Sequence, residues 1–74
     1  MKITYDKKTD ALYIRLLEGK HQCHTLRLTD SIALNIGKNE LLVGIEILDA
    51  KHVLGKGKLP EVVLENLVFK KATV

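Results

Sequence analysis

The chain has 74 residues, 46% apolar and 28% charged, with 12 basic against 9 acidic side chains and a formal charge of +3. That length holds one domain, the balance excludes intrinsic disorder, and so small a positive excess calls for no nucleic-acid partner. No apolar run approaches the ~20 residues of a membrane helix, no leader is expected, and Cys23 has no second cysteine to pair with, so the sequence predicts a cytoplasmic protein.

Residues 2–5 alternate polar and apolar, with Ile3 and Tyr5 on one side, and predict a first strand. Asp6-Lys7-Lys8-Thr9-Asp10 is a turn cluster. Residues 11–17 predict a second strand, with Leu12, Ile14 and Leu16 on one face and Tyr13 and Arg15 on the other. Glu18-Gly19-Lys20-His21 turns the chain into a weaker third strand over 22–28, whose strong apolar residues are Leu26 and Leu28. Thr29-Asp30-Ser31 is a tight turn. Ile32, Leu34 and Ile36 alternate with Ala33 and Asn35 in a fourth strand. After Gly37-Lys38-Asn39-Glu40 comes a fifth strand over 41–48, its Val43, Ile45 and Ile47 spaced for one face and Leu42, Gly44, Glu46 and Leu48 for the other. Connectors this short predict up-and-down antiparallel neighbours, because a parallel crossover needs about a dozen residues or more.

Asp49 is an N-cap candidate ahead of one helical turn at 50–54, and Gly55-Lys56-Gly57-Lys58 ends it. The glycine–lysine stretch lacks the GxxxxGK[ST] spacing of a phosphate-binding loop and reads as a solvated linker. Pro60 and Glu61 suit the start of a second short helix, with Val63 and Leu67, and Leu64 and Val68, at i and i+4, before an extended tail. The predicted fold class is α+β: an antiparallel five-stranded β-meander with a short C-terminal helix. Residues 1–54 form the sheet domain with its terminal helical turn, and 55–74 form the linker, helix and tail, packed on the sheet or on a second subunit. A domain this small, with no disulfide and one greasy sheet face, is expected to self-associate as a homodimer.

The segments Ile3-Thr4-Tyr5-Asp6, Asp10-Ala11-Leu12-Tyr13-Ile14-Arg15-Leu16 and Val43-Gly44-Ile45-Glu46-Ile47-Leu48-Asp49-Ala50 follow one another with suitable gaps. In this order they resemble the small prokaryotic domain-of-unknown-function family 2283, over roughly residues 1 to 54. The resemblance implies a compact cytoplasmic protein without an established activity. Some proteins of this kind resemble the antitoxin half of toxin–antitoxin pairs, which implies a toxin as a protein partner. His21-Gln22-Cys23-His24 departs from the family pattern.

The candidate chemistry divides into two groups. Asp6, Asp10 and Glu46, with Tyr13, Arg15 and Asp49, are candidates for binding a ligand or partner, and the three carboxylates for acid–base work or a divalent ion. The simpler expectation is structural. Asp6 and Asp10 brace the hairpin turn, and Glu46 pairs with Arg15, Arg27 or a lysine across the sheet. His21, Cys23 and His24 have zinc-ligand chemistry, with His52 as a fourth group. On a regular strand, however, His24 faces away from His21 and Cys23, so the three converge only through a bulge or a subunit-bridging site. Cys23 as a nucleophile fails on the same geometry, since its neighbour His24 points away. Arg15 and Arg27 with Tyr13 could form a stacking platform for nucleic acid, but 4% aromatic content and Glu46 on the same face favour a solvated, salt-linked surface. No cofactor is expected. The sequence predicts a non-enzymatic protein-interaction module, with a metal-dependent or acid–base site as the alternative.

Overall fold

A computed structural model describes residues 1–65 and places five strands, one short α-helix and a 3-10 turn at Lys38–Glu40 in them. The strands are β1 (Lys2–Asp6), β2 (Ala11–Arg15), β3 (His24–Arg27), β4 (Ile32–Ile36) and β5 (Leu42–Ile47), followed by the helix α1 (Ala50–Leu54). All neighbouring strands are antiparallel, in the order β1-β2-β5-β4-β3.

The five-stranded antiparallel sheet and the short helix match the sequence expectation, but the neighbour order does not follow a simple meander. β5 lies between β2 and β4, and β3 is at the far edge. Three hairpin-linked strands with a fourth brought beside the first form a Greek key. The physical reason is the length of the β2–β3 connection. β2 ends at Arg15 and β3 begins at His24, so residues 16–23 are free to cross the sheet. Eight extended residues reach about 26 Å, enough for the three strand spacings, about 14 Å in all, that separate β2 from β3.

The register builds two unlike faces. On one, Ile3, Ile14, Ile45, Leu34 and Leu26 stand opposite one another in an unbroken row across all five strands. Tyr5, Leu12, Ile47 and Ile32 form a parallel row beside it. On the other face the rows read Thr4, Tyr13, Glu46, Ala33, Arg27 and Lys2, Arg15, Gly44, Asn35, Thr25.

A β-bulge interrupts this pattern where β5 begins. Ile36 pairs with Leu42 and Asn35 with Gly44, which leaves Val43 as the extra residue. The Val43 carbonyl accepts hydrogen bonds from the amides of both Leu16 and Leu17, at 2.8 and 3.3 Å. Val43 therefore leaves the face expected from its spacing with Ile45 and Ile47. It is buried among the residues of the polar side, where it lines a cleft with Tyr13 and Asn35, and Leu42 takes the apolar side opposite Ile36.

Ala33 is 1% exposed although it lies on the polar face. Its cross-strand neighbours are Arg27 and Glu46, whose charged groups meet at 3.9 Å. The small side chain lets the two long ones close over it.

Helix α1 is a single turn, begun by bonds from the amides of His52 and Val53 to the Asp49 carbonyl. The helix ends at an extended Gly55, which with Gly57 donates to the Lys51 carbonyl, and Gly57 takes φ +88°, a left-handed conformation that favours glycine. Residues 59–65 carry no regular secondary structure, so the part of the expected second helix within them is not formed, and its remainder lies outside the described residues. Among the described residues no helix is long and apolar enough to cross a membrane.

Candidate functional site

The crossover at 16–23 folds over the polar face and creates an open cleft of about 460 Å³. Its floor is Tyr13, Arg15, Val43, Asn35 and Thr25 from the strands, and its wall is Gly19, Lys20, His21 and Cys23 from the crossover. Arg15 holds the wall in place by donating from Nη2 to the Gly19 carbonyl. His21 Nε2 donates to the Glu18 carbonyl at 2.6 Å, and the Cys23 thiol donates to the His21 carbonyl at 3.5 Å. Gly19 sits at φ +87°, where a side chain would strain the loop.

Tyr13 crosses the floor diagonally above Gly44. The phenol oxygen accepts from Asn35 Nδ2 at 3.0 Å, and Asn35 Oδ1 accepts from Thr25 Oγ1 at 3.2 Å. A Cβ at Gly44 would overlap the Tyr13 hydroxyl and the ring carbon that bears it. Glycine inside a strand marks this kind of close approach. Gly44→Ala should push the ring aside, break the bond to Asn35, and cost about 1–3 kcal/mol in urea unfolding, with the Asn35 side-chain amide resonances shifting. Unchanged amide resonances would mean that the ring does not occupy that space.

A second, slightly smaller depression of about 400 Å³ also borders Tyr13, with Thr4, Asp6, Thr9 and Glu46 among its lining residues. Asp6 and Glu46 share it, but each carboxylate has a local partner. Asp6 accepts from the Lys8 amide at 2.9 Å, and Glu46 faces Arg27 rather than Arg15.

Asp10 has a different job from its two fellow carboxylates. It takes φ +53° at the end of the β1–β2 turn, and its carboxylate accepts the Tyr5 hydroxyl at 2.7 Å. Both carboxylate oxygens also lie 3.3 Å from the Lys51 amide, and the Asp10 carbonyl accepts from the Ala50 amide at 3.0 Å. Asp49, the candidate N-cap, occupies the cap position with φ +52° but makes no side-chain bond there. The carboxylate at the helix start comes instead from Asp10, 41 residues earlier. Tyr5, Asp10 and Ala50, drawn from the first, second and third family-like segments, thus meet at one end of the sheet.

The bond to Asp10, reinforced by burial and by the negative charges of Asp10 and Asp6, pushes the Tyr5 phenol from 10.0 up to about 12. A raised folded value means that the fold favours the protonated phenol. This stabilisation is complete below the unfolded value of 10.0 and is lost as pH rises through about 12. Unfolding measured between those two values should show stability falling with pH, and Tyr5→Phe should remove that component. A variant with the same pH slope as the parent would argue against the Tyr5–Asp10 bond.

Of the zinc candidates, His21 and Cys23 lie in the crossover and line the cleft, whereas His24 opens β3 opposite Ile36 and does not. His52 lies on α1. Among the described residues no three metal-ligating side chains come together. Sequence reasoning missed Lys20, Thr25, Asn35 and the displaced Val43 as parts of one cleft, since only the Greek-key order brings them together. Gly44, a glycine in the middle of a strongly apolar strand, was the one local signal of the site.

No curated protein and no solved structure matches the chain. Residues 2–51 match the family described as "Protein of unknown function (DUF2283)". That match spans β1 through the start of α1, including Tyr5, Asp10, Tyr13, Gly44, Glu46 and Ala50. The chain belongs to this family.

Proposed function

We propose that the chain is a non-enzymatic protein-interaction module whose partner is a second copy of itself, docked through the apolar sheet face. The observation that carries this reading is the uninterrupted row Ile3, Ile14, Ile45, Leu34, Leu26, whose two ends are 42% and 49% exposed. Among the described residues the buried apolar ones are Ala33, Val43, Ile47 and Ala50, and no large side chain is fully enclosed.

A sheet with one greasy face needs a second layer. A copy of the same sheet supplies one of matching width, because no charged side chain interrupts the row and two such faces pack about 10 Å apart. Oligomerisation is one route by which small chains supplement a core, and two-fold pairing is its commonest form. The non-enzymatic part of the reading is supported by the carboxylates, since Asp6, Asp10 and Glu46 are each engaged by a backbone amide, a phenol or a guanidinium.

Sedimentation equilibrium tests the proposal. It expects a mass twice the 8.3 kDa of the chain, with dissociation on dilution. A mass of 8.3 kDa at every concentration would refute it.

A further inference from the structure

We infer that the cleft beneath the β2–β3 crossover binds the phosphate group of a small phosphomonoester. This inference does not rest on self-association, which uses the opposite face of the sheet. The cleft's charge is one-sided. Arg15 and Lys20 line it beside His21, and none of its lining residues is a carboxylate. On the same face Glu46 is turned to Arg27, outside this cleft.

The floor supplies neutral donors beside these cations. With its amide nitrogen on Tyr13, Asn35 leaves the phenol's own proton free to donate to a bound oxygen. The wall is held before any ligand arrives by Arg15 on the Gly19 carbonyl and His21 on the Glu18 carbonyl. The guanidinium still has further N–H groups to offer, because it carries five donors.

Two fixed positive charges match a dianion better than a single carboxylate, and a phosphomonoester is close to dianionic near neutral pH. A volume of about 460 Å³ lies within the range of small-molecule pockets and leaves room for more than the phosphate. The Tyr13 ring and Val43 provide apolar surface for the rest of such a molecule. A nucleic-acid strand is disfavoured, since tracking its backbone takes a stripe of cations, and Arg27, the next arginine along this face, is paired with Glu46.

The test is amide chemical-shift titration of the full chain at constant ionic strength, first with inorganic phosphate and then with adenosine monophosphate. Expected are saturable shifts confined to the cleft, around Arg15, Lys20, His21 and Asn35, with the monophosphate ester binding more tightly than inorganic phosphate. Lys20→Gln, a change on an exposed side chain, should weaken binding about tenfold, and Arg15→Gln at least as much. Arg27→Gln, on the same face but outside the cleft, should leave binding unchanged.

The inference is overturned by shifts that do not saturate, by shifts spread over all the lysines, or by equal affinity in Lys20→Gln. It is also overturned if a single-stranded oligonucleotide binds more tightly than the monophosphate with a steep salt dependence. None of these outcomes bears on the oligomeric mass, so failure here and failure of self-association are separable.

Discussion

Asp10→Ala should be the most damaging single substitution away from the sheet interior, costing about 3 kcal/mol in urea unfolding. Three losses add up to this. The Tyr5 hydroxyl loses its charged acceptor. The first turn of α1 loses the carboxylate on the Lys51 amide, at about 1 kcal/mol. Alanine would also have to hold φ +53°, a left-handed conformation that costs about 1–2 kcal/mol outside glycine, asparagine and aspartate. Some overlap among these terms brings the sum back toward about 3 kcal/mol. A domain of this size has only about 4–11 kcal/mol to lose. Asp10→Asn separates the terms, because asparagine keeps the left-handed turn and loses only the charge. It should cost about half as much as alanine. Equal damage from both would mean that the negative charge, rather than the backbone conformation, dominates.

The second large effect concerns association. Leu26→Lys combined with Ile3→Lys places a charge at each end of the apolar row, at positions half exposed in the single chain. Each copy then loses part of the burial of two aliphatic side chains, and a symmetric interface counts every loss twice. Burying the remaining half of one such side chain is worth about 1 kcal/mol, so the pair of substitutions should weaken association by about 3–4 kcal/mol, at least a hundredfold. The single-chain fold should survive, since β3 is exposed throughout and Ile3 lies on the opposite edge strand. Circular dichroism would confirm retained strand content while sedimentation reads the dissociation constant. Unchanged association with both lysines in place would mean that the row is not the contact.

Much of the fold was legible because its signals are local. Alternation in Lys2–Asp6, Ala11–Arg15 and Ile32–Ile36 fixes which side chains share a surface, and the structure keeps those groupings. The errors came from contacts that local spacing does not encode. Val43 has the same spacing from Ile45 as Ile47 does, yet one extra residue between the pairs at Asn35 and Ile36 sends it to the other face. The strand order was hidden for a related reason. Reading the second strand to Leu17 and the third from Gln22 shortened the connection that carries the chain across the sheet. Asp10 was expected to brace its turn through bonds to the turn backbone, but its carboxylate takes the Tyr5 hydroxyl and reaches the Lys51 amide, a span of the sheet domain that leaves no trace in neighbouring residues. The cleft was the least legible part, since Lys20, Asn35 and Val43 become neighbours only through that crossover.

What matters most is whether a twin sheet lies against the aliphatic row. Isotope-filtered nuclear Overhauser spectroscopy on a mixture of labelled and unlabelled chains reads this contact directly. Contacts between chains should join the methyl groups of Ile14, Ile45 and Leu34. Their absence at concentrations where the methyls are well resolved, or contacts to those methyls arising only from residues 66–74 of the same chain, would contradict the account.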